Sequence, residues 1–169
     1  MTVEQLAALE EKWLKKQRSL VGDRETLYEQ AGVFVAWQDI FSQYVALALE
    51  GDLEALKRAM FLIWAERSIA RLITGLKDLD ESRIQEVLTT ANKLAQDGRL
   101  DTELEWMLPY YYLVERSYLD RFEGLDALKQ ASRQNPFLYR QRCLETSFDR
   151  RGQMGDYWKA EQAHLRQWP

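Results

Sequence analysis

Two glutamates stand where the helical pattern calls for nonpolar residues. Between Leu53 and Thr74, one predicted helical face collects Ala55, Ala59, Leu62, Glu66, Ile69 and Ile73. Between Thr102 and Phe122 the same reading collects Leu104, Leu108, Tyr111, Glu115, Tyr118 and Phe122. Gln17 takes the matching slot between Trp13 and Leu20 near the N-terminus. An ionised carboxylate buried alone is prohibitively costly, so each glutamate needs a partner or must stay protonated. The commoner arrangement is a structural ion pair between helices, with Arg67, Arg71, Arg116 or Arg121 as the partner. The sharper alternative places both glutamates in one groove, sharing a proton or a cation, with one pKa raised. Two glutamates without a histidine or a further clear ligand do not define a metal site. No metal and no cofactor is therefore expected.

A second candidate is the aromatic group Trp106, Tyr110, Tyr111 and Tyr112 around Pro109. Proline inside a helix removes one hydrogen bond and clashes with the carbonyl four residues back, at about 3 kcal/mol if uncompensated. A kink or break is predicted there. The rings could line a pocket beside the freed carbonyl, or simply pack the core. Three consecutive tyrosines cannot share one helical face, so at least one should reach the surface, where such residues anchor protein partners. With Arg67 and Arg116 beside the two glutamates, these residues complete the set of candidate ligand- or partner-binding positions.

Other chemistry is sparse. Gly152-Gln153-Met154-Gly155-Asp156-Tyr157-Trp158 could form an anion-binding turn close to arginines. It matches neither a P-loop nor a dinucleotide fingerprint, and a surface loop is expected. His164 is the only histidine and lies near the chain end. Cys143 has no histidine base in prospect and reads as a buried structural thiol. Nucleophile-elbow, zinc-protease and paired-cysteine motifs are all missing from the sequence. No catalytic residue is assigned, and the balance leans away from an enzyme.

The elements that must position these groups are all predicted to be helices. Thr2 with Gln5 fits a capping box, followed by Leu6, Leu9, Trp13 and Leu20. Gly22-Asp23 breaks that pattern, and Asp23 caps a short segment before Gly32. Val33–Leu49 reads as a strongly apolar helix. Asp52 caps a third long helix from Leu53 to Thr74, ended by Gly75; its centre, AMFLIWA, is apolar all round, as in a helix buried among neighbours. Asp80 caps Glu81–Gln96. Asp101 caps a fifth long helix from Thr102 to Phe122. A short helix should cover Leu125–Ser132. Asn135-Pro136 should open another, reaching Asp149. RRGQMGD reads as a loop, with a terminal helix over Tyr157–Gln167.

The whole is read as one helical domain spanning 1–169, an all-α array of antiparallel helix pairs. With three prolines and eight glycines, the tight turns of a β-sandwich or barrel are disfavoured. An internal repeat adds a finer expectation. Glu66-Arg67-Ser68 recurs as Glu115-Arg116-Ser117, about 49 positions on, and Gln17-Arg18-Ser19 stands at the same offset upstream. Asp52 matches Asp101, and Gly75-Leu76 matches Gly124-Leu125. That period with paired helices suggests HEAT-like α-solenoid repeats.

Charge bounds the partners. The net charge of −4 argues against nucleic acid, whose binders draw affinity from a basic excess. From Arg133 onward seven Lys/Arg stand against four Asp/Glu, a weak basic tail best read as solvated surface. Nucleic-acid binding would need Arg133, Arg140, Arg142, Arg150 and Arg151 on one face. A single cysteine excludes an intramolecular disulfide and suits a reducing cytoplasm. The N-terminus has no basic region before an apolar run, so no signal peptide is expected. Ala59–Ala65 is too short to span a membrane.

The segments GDLEALKRAMFLIW, DTELEWMLPYYY and RGQMGDYW resemble an uncharacterised family of bacterial all-helical proteins, the likeness running from Gly51 to Trp158. The resemblance implies a bacterial, cytoplasmic protein. No function is assigned to that family, so no residue role carries over. This chain departs from it at Glu66-Arg67-Ser68, where similar proteins often place one acidic or small polar residue. The expectation is a non-enzymatic protein-interaction module, an adaptor or immunity-type protein with another protein as partner. Homo-oligomerisation stays open. The alternative is a small enzyme or ligand-binding protein with a groove formed by Glu66, Glu115 and the Trp106–Tyr112 aromatics.

Overall fold

The computed structural model describes residues 1–168, and every regular element among them is a helix. In chain order these are α1 (Val3–Ser19), α2 (Arg24–Ala31), α3 (Val33–Leu49), α4 (Leu53–Ser68), α5 (Arg71–Thr74), α6 (Glu81–Gln96), α7 (Thr102–Val114), α8 (Ser117–Asp120), α9 (Asp126–Ser132), α10 (Tyr139–Glu145) and α11 (Gly152–Gln167). Local signals place many of their ends. The Thr2–Gln5 capping box closes in both directions, at 2.8 and 3.3 Å. Asp52, Asp80 and Asp101 each accept first-turn N–H groups at the starts of α4, α6 and α7. The bounds of α3 and α6 are those the periodicity predicts.

Four elements differ, each for a tertiary reason. The third long helix does not reach Thr74. Ile69 turns extended, and α5 restarts two residues later. Side chains from elsewhere take the carbonyls this break releases: Tyr28 Oη donates to Leu72 at 3.1 Å and Gln153 Nε2 to Thr74 at 2.7 Å. The fifth helix runs through Pro109 instead of breaking there, and stops at Glu115. Burial of every residue from Trp106 to Tyr112 offsets the lost proline bond. Asn135-Pro136 opens only a turn, because Asn135 Oδ1 accepts the Phe137 N–H at 3.0 Å. Gly152–Trp158 is the first half of α11, not a loop. Its Gly155 serves close packing, since a Cβ there would lie 2.5 Å from the Phe148 carbonyl oxygen.

The core forms around α3, α4 and α7. Helix α3 packs on α1, α4 and α6; α9 covers α6 and α7; α11 returns onto α1 and α4. The centre is aromatic, with Trp37, Phe61, Trp64, Tyr111 and Trp158 fully buried. The indole N–H groups of the three fully buried tryptophans have fixed acceptors: Trp37 donates to Gln17 Oε1 at 2.8 Å, Trp64 to the Tyr111 carbonyl at 3.1 Å, and Trp158 to Tyr111 Oη at 3.2 Å. Among the described residues no single helix is long and apolar enough to cross a membrane.

Gly75 shows how tightly these parts fit. It holds φ +75°, and a Cβ there would come within 2.6 Å of Trp37 Cδ1. Gly98 has φ +65° with nothing within 4 Å. An alanine in the left-handed region costs about 1–2 kcal/mol, and overpacking a fixed indole adds about 1–3. Gly75→Ala should therefore destabilise by about 2–5 kcal/mol in urea unfolding, and Gly98→Ala by only about 1–2.

Candidate functional site

The structure brings Glu66 and Glu115 to one open concavity of about 480 Å³, together with Arg67, Asp78, Glu81 and Ser117. Three pieces of chain build it: the C-terminal turn of α4, the connection into α6, and the α7–α8 break. Glu66 holds that connection in place by accepting the Leu79 N–H at 2.8 Å. Asp78 just before it adopts φ +53°, a conformation that aspartate tolerates better than most residues. Glu115 accepts the Ser117 N–H at 3.0 Å, and Arg67 Nε donates to Ser117 Oγ at 3.2 Å.

The expected ion pairs do not form. Among the described residues neither Glu66 nor Glu115 has a Lys or Arg nitrogen within 4.0 Å. Arg71 pairs with Glu25 at 2.9 Å, Arg121 pairs with Glu81, and Arg116 lies over the Tyr112 ring. The physical reason is that both glutamates stand at helix ends: Glu66 lies in the last turn of α4 and Glu115 caps α7, so neither is enclosed by the buried stripe. Their environments then diverge. Partial burial pushes the Glu66 carboxyl above its ordinary value, against the lowering effect of the Leu79 N–H. The Ser117 side chain and N–H hold the Glu115 carboxyl below its ordinary value.

The aromatic candidates lie elsewhere. Trp106 packs edge-on against Trp158 and Phe148, and Tyr111 stacks on Trp64. Tyr110 Oη bonds Tyr157 Oη, and Tyr112 Oη donates to Asp120 at 2.9 Å. These four are buried, so the tyrosines solve the three-in-a-row problem inward, one against α11 and one against α8. The surface position falls instead to Leu113 and Val114. Burial pushes the Cys143 thiol up to about 12, which removes it as a nucleophile near neutral pH. Arg151 is buried, so the five C-terminal arginines do not form one exposed basic face.

Sequence reasoning missed a second polar cluster, which lies inside the protein. Glu10 on α1 is 2% exposed. It accepts from Tyr44 Oη at 2.5 Å and from the Gln153 N–H at 2.7 Å, with Arg58 Nη1 at 3.6 Å. Gly152 leaves the space its carboxylate occupies. Arg58 also reaches Glu54 and the Arg150 carbonyl. Arg151 donates to Glu54 and Glu103, each at 2.6 Å at its closest, and Lys57 bridges Glu103, Glu54 and Asp101. Three cations, four carboxylates and the Tyr44 hydroxyl thus join α1, α3, α4, α7 and α11. One signal was available: Glu10 sits four residues from both Leu6 and Leu14, on the buried face of α1.

Burial pushes Glu10 upward, outweighing Tyr44, Gln153 and Arg58. Burial also pushes Glu54 and Glu103 up, but Arg151 and then Lys57 outweigh it and hold both below the ordinary value. The network opens in part onto a concavity of about 1060 Å³ along α1 and the start of α11. Its role is structural, because each of its four carboxylates has at least one of the three cations within 4.0 Å.

Comparison with protein-family models, curated proteins and solved structures finds no match. The functional reading therefore rests on the geometry alone.

Two outcomes follow. Truncating one partner of a buried ionic cluster costs about 3–5 kcal/mol, so Arg151→Met should lose that much at pH 7. Carboxyls whose folded pKa is lowered give stability above their unfolded value and lose it as pH falls through the folded one. The variant's unfolding free energy should accordingly fall less steeply than wild type from pH 5 to pH 3 in denaturant titrations. Glu66 has the opposite sign: its raised carboxyl favours the fold at low pH and costs stability once ionised. Glu66→Gln should leave thermal stability unchanged or raised at pH 7 and show no gain at pH 4, and a clear loss at pH 7 would mean the carboxylate is a structural partner.

Proposed function

We propose that this chain is a non-enzymatic protein-interaction module of the adaptor or immunity type, and that the acidic concavity receives a basic side chain of its protein partner. One observation carries the reading: a half-buried carboxylate, Glu66, faces an open depression with no cation paired to it among the described residues, beside Arg67, Asp78, Glu115 and the Arg121-paired Glu81. Elsewhere in this protein, buried carboxylates have their cations built in. An incoming lysine or arginine would supply the missing charge and be drawn by the field of Asp78 and Glu115. The exposed Leu113 and Val114, just before Glu115, would extend the contact with apolar area.

The alternative, a small enzyme or ligand-binding protein, has one observation in its favour. Two carboxyls pushed in opposite directions at one concavity are the usual furniture of acid–base chemistry. Against it, the aromatics that would form the rest of the groove pack into the core. The interaction reading is the stronger.

The 49-residue repeat belongs to the same proposal. In both copies an aspartate-capped helix breaks near its C-terminus, a four-residue helix follows, and a left-handed glycine closes the unit. We read the two breaks as the repeated feature that builds the concavity. The return of α11 onto α1 argues for a closed array instead of an open HEAT-like stack.

An NMR titration with a tetra-arginine peptide tests the interaction reading. Shifts should concentrate at residues 66, 78–81 and 115–117, weaken as salt rises from 50 to 300 mM, and fall at least several-fold in Glu66→Gln. Shifts spread evenly over all acidic surfaces, or unchanged in the variant, would defeat it.

A further inference from the structure

A second cavity, of about 310 Å³, lies between α1, α2, the α4–α5 break and α11. It is separate from the acidic concavity and owes nothing to it. Its walls are mostly apolar: Leu14, Tyr28, Phe61, Ile69, Ile73 and Tyr157. Ile73 is 66% exposed, and Arg18 pairs with Asp156 at 2.8 Å in an exposed ion pair, so these groups mark the mouth. Phe61, Gln17 and Gln153 are buried and mark the closed end.

The two glutamines there have fixed orientations. Trp37 donates to Gln17 Oε1, which directs the Gln17 amide nitrogen toward the Ile73 carbonyl, at a long 3.5 Å. Gln153 Nε2 donates to the Thr74 carbonyl at 2.7 Å, so its oxygen and nitrogen cannot be exchanged without setting oxygen against oxygen. That leaves Gln153 Oε1 as an acceptor. It is one of two buried side-chain polar atoms without a hydrogen-bond partner among the described residues, and Gln153 is the one of those two residues that lines this cavity. Leaving such an atom unsatisfied costs about 1–3 kcal/mol. An apolar pocket with a few convergent polar groups is the general form of a small-molecule site, and the volume lies at the small end of that range.

We infer that this cavity binds a small, neutral, mostly apolar molecule carrying one N–H or O–H group, which donates to Gln153 Oε1. An anionic head cannot occupy the closed end, because it would meet the Gln153 acceptor there, and the two arginines of the lining are engaged at the rim, Arg18 with Asp156 and Arg24 with the Leu72 carbonyl. A cation has no carboxylate at the closed end to receive it, since Asp156 lies at the mouth and is paired with Arg18. A two-ring aromatic with a single donor fits both the volume and the wall.

The test uses the whole protein and two matched probe pairs: indole against benzofuran, which keeps the shape and lacks the N–H, and 4-ethylphenol against 4-ethylanisole. A site built around a hydrogen bond rejects the analogue that lacks it. Methyl-detected NMR should show saturable shifts at Leu14, Ile69 and Ile73 with at least one donor probe, and at least tenfold weaker binding of its partner. Ile73→Trp at the exposed mouth should block the probe while leaving the melting temperature unchanged. Gln153→Met should also abolish the preference for the donor, but it removes the Thr74 contact as well, so the mouth variant carries the comparison. Equal affinity within both pairs, no saturable shift at these methyls with either donor probe, or undiminished binding to Ile73→Trp would overturn the inference.

Discussion

A charged group inside a protein is tolerated only while all its partners stay in place, and this fold is organised around that constraint. Glu10, Glu54, Asp101 and Glu103 face Lys57, Arg58 and Arg151 where five helices converge. Such a cluster contributes little net stability against an apolar core of the same shape, because desolvation offsets most of the attraction. What it specifies is register. Arg151 can reach Glu54 and Glu103 together only when α11 lies against both α4 and α7. Glu10 can accept the Gln153 N–H only when the first turn of α11 lies on α1. Arg150, strained at φ +56°, makes the turn that aims Arg151 inward, and its carbonyl is held by Arg58.

The helices themselves were largely legible in the chain. Aspartate caps and apolar periodicity located α3 and α6 to the residue, because those signals are local and nothing nearby competes with them. The breaks after Ser68 and Val114 were not legible. No proline or glycine marks either one. The chain turns where side chains distant in sequence satisfy the released backbone groups, as Tyr28 and Gln153 do for α5. Pro109, the visible breaker, was overridden by the burial of its whole segment. Gly152–Trp158 also departs from its local signal: Gly152 makes a left-handed entry into α11 and Gly155 a close approach inside it, so the two glycines do not mark a loop.

The site was legible in part, and for a reason different from the one that drew attention to it. Glu66 and Glu115 stood out as polar interruptions of nonpolar stripes, which assumes continuous helices. The helices are broken, the stripes end, and the two carboxylates still meet because both breaks face the same side. Glu10 carried the stronger form of the same signal, a carboxylate between Leu6 and Leu14 on a face that is truly buried. It was obscured because the stripe in α1 was read through Leu9 and Trp13, which are only half-buried. A one-residue shift in the chosen helical face hid the cluster on which the packing depends.

Comparing the two acidic clusters gives the most direct indication of where function lies. They draw on the same residue types and are carried by the same helices, α4 and α7, at opposite ends. At the N-terminal ends, Glu54, Asp101 and Glu103 are closed over by Lys57 and Arg151, and no partner from outside could add to them. At the C-terminal ends, Glu66 is held by the Leu79 N–H and Glu115 by the Ser117 N–H and side chain, with no ion pair to either among the described residues. A helix C-terminus already carries partial negative charge, so carboxylates gathered there raise the potential instead of relieving it. Nothing in the packing requires that arrangement, since a glutamine at position 66 would accept the Leu79 N–H equally well. Two carboxylates left without an ion pair at one end, on helices whose other end is ion-paired, are an expense the fold itself does not need, and the positively charged partner proposed above would remove it.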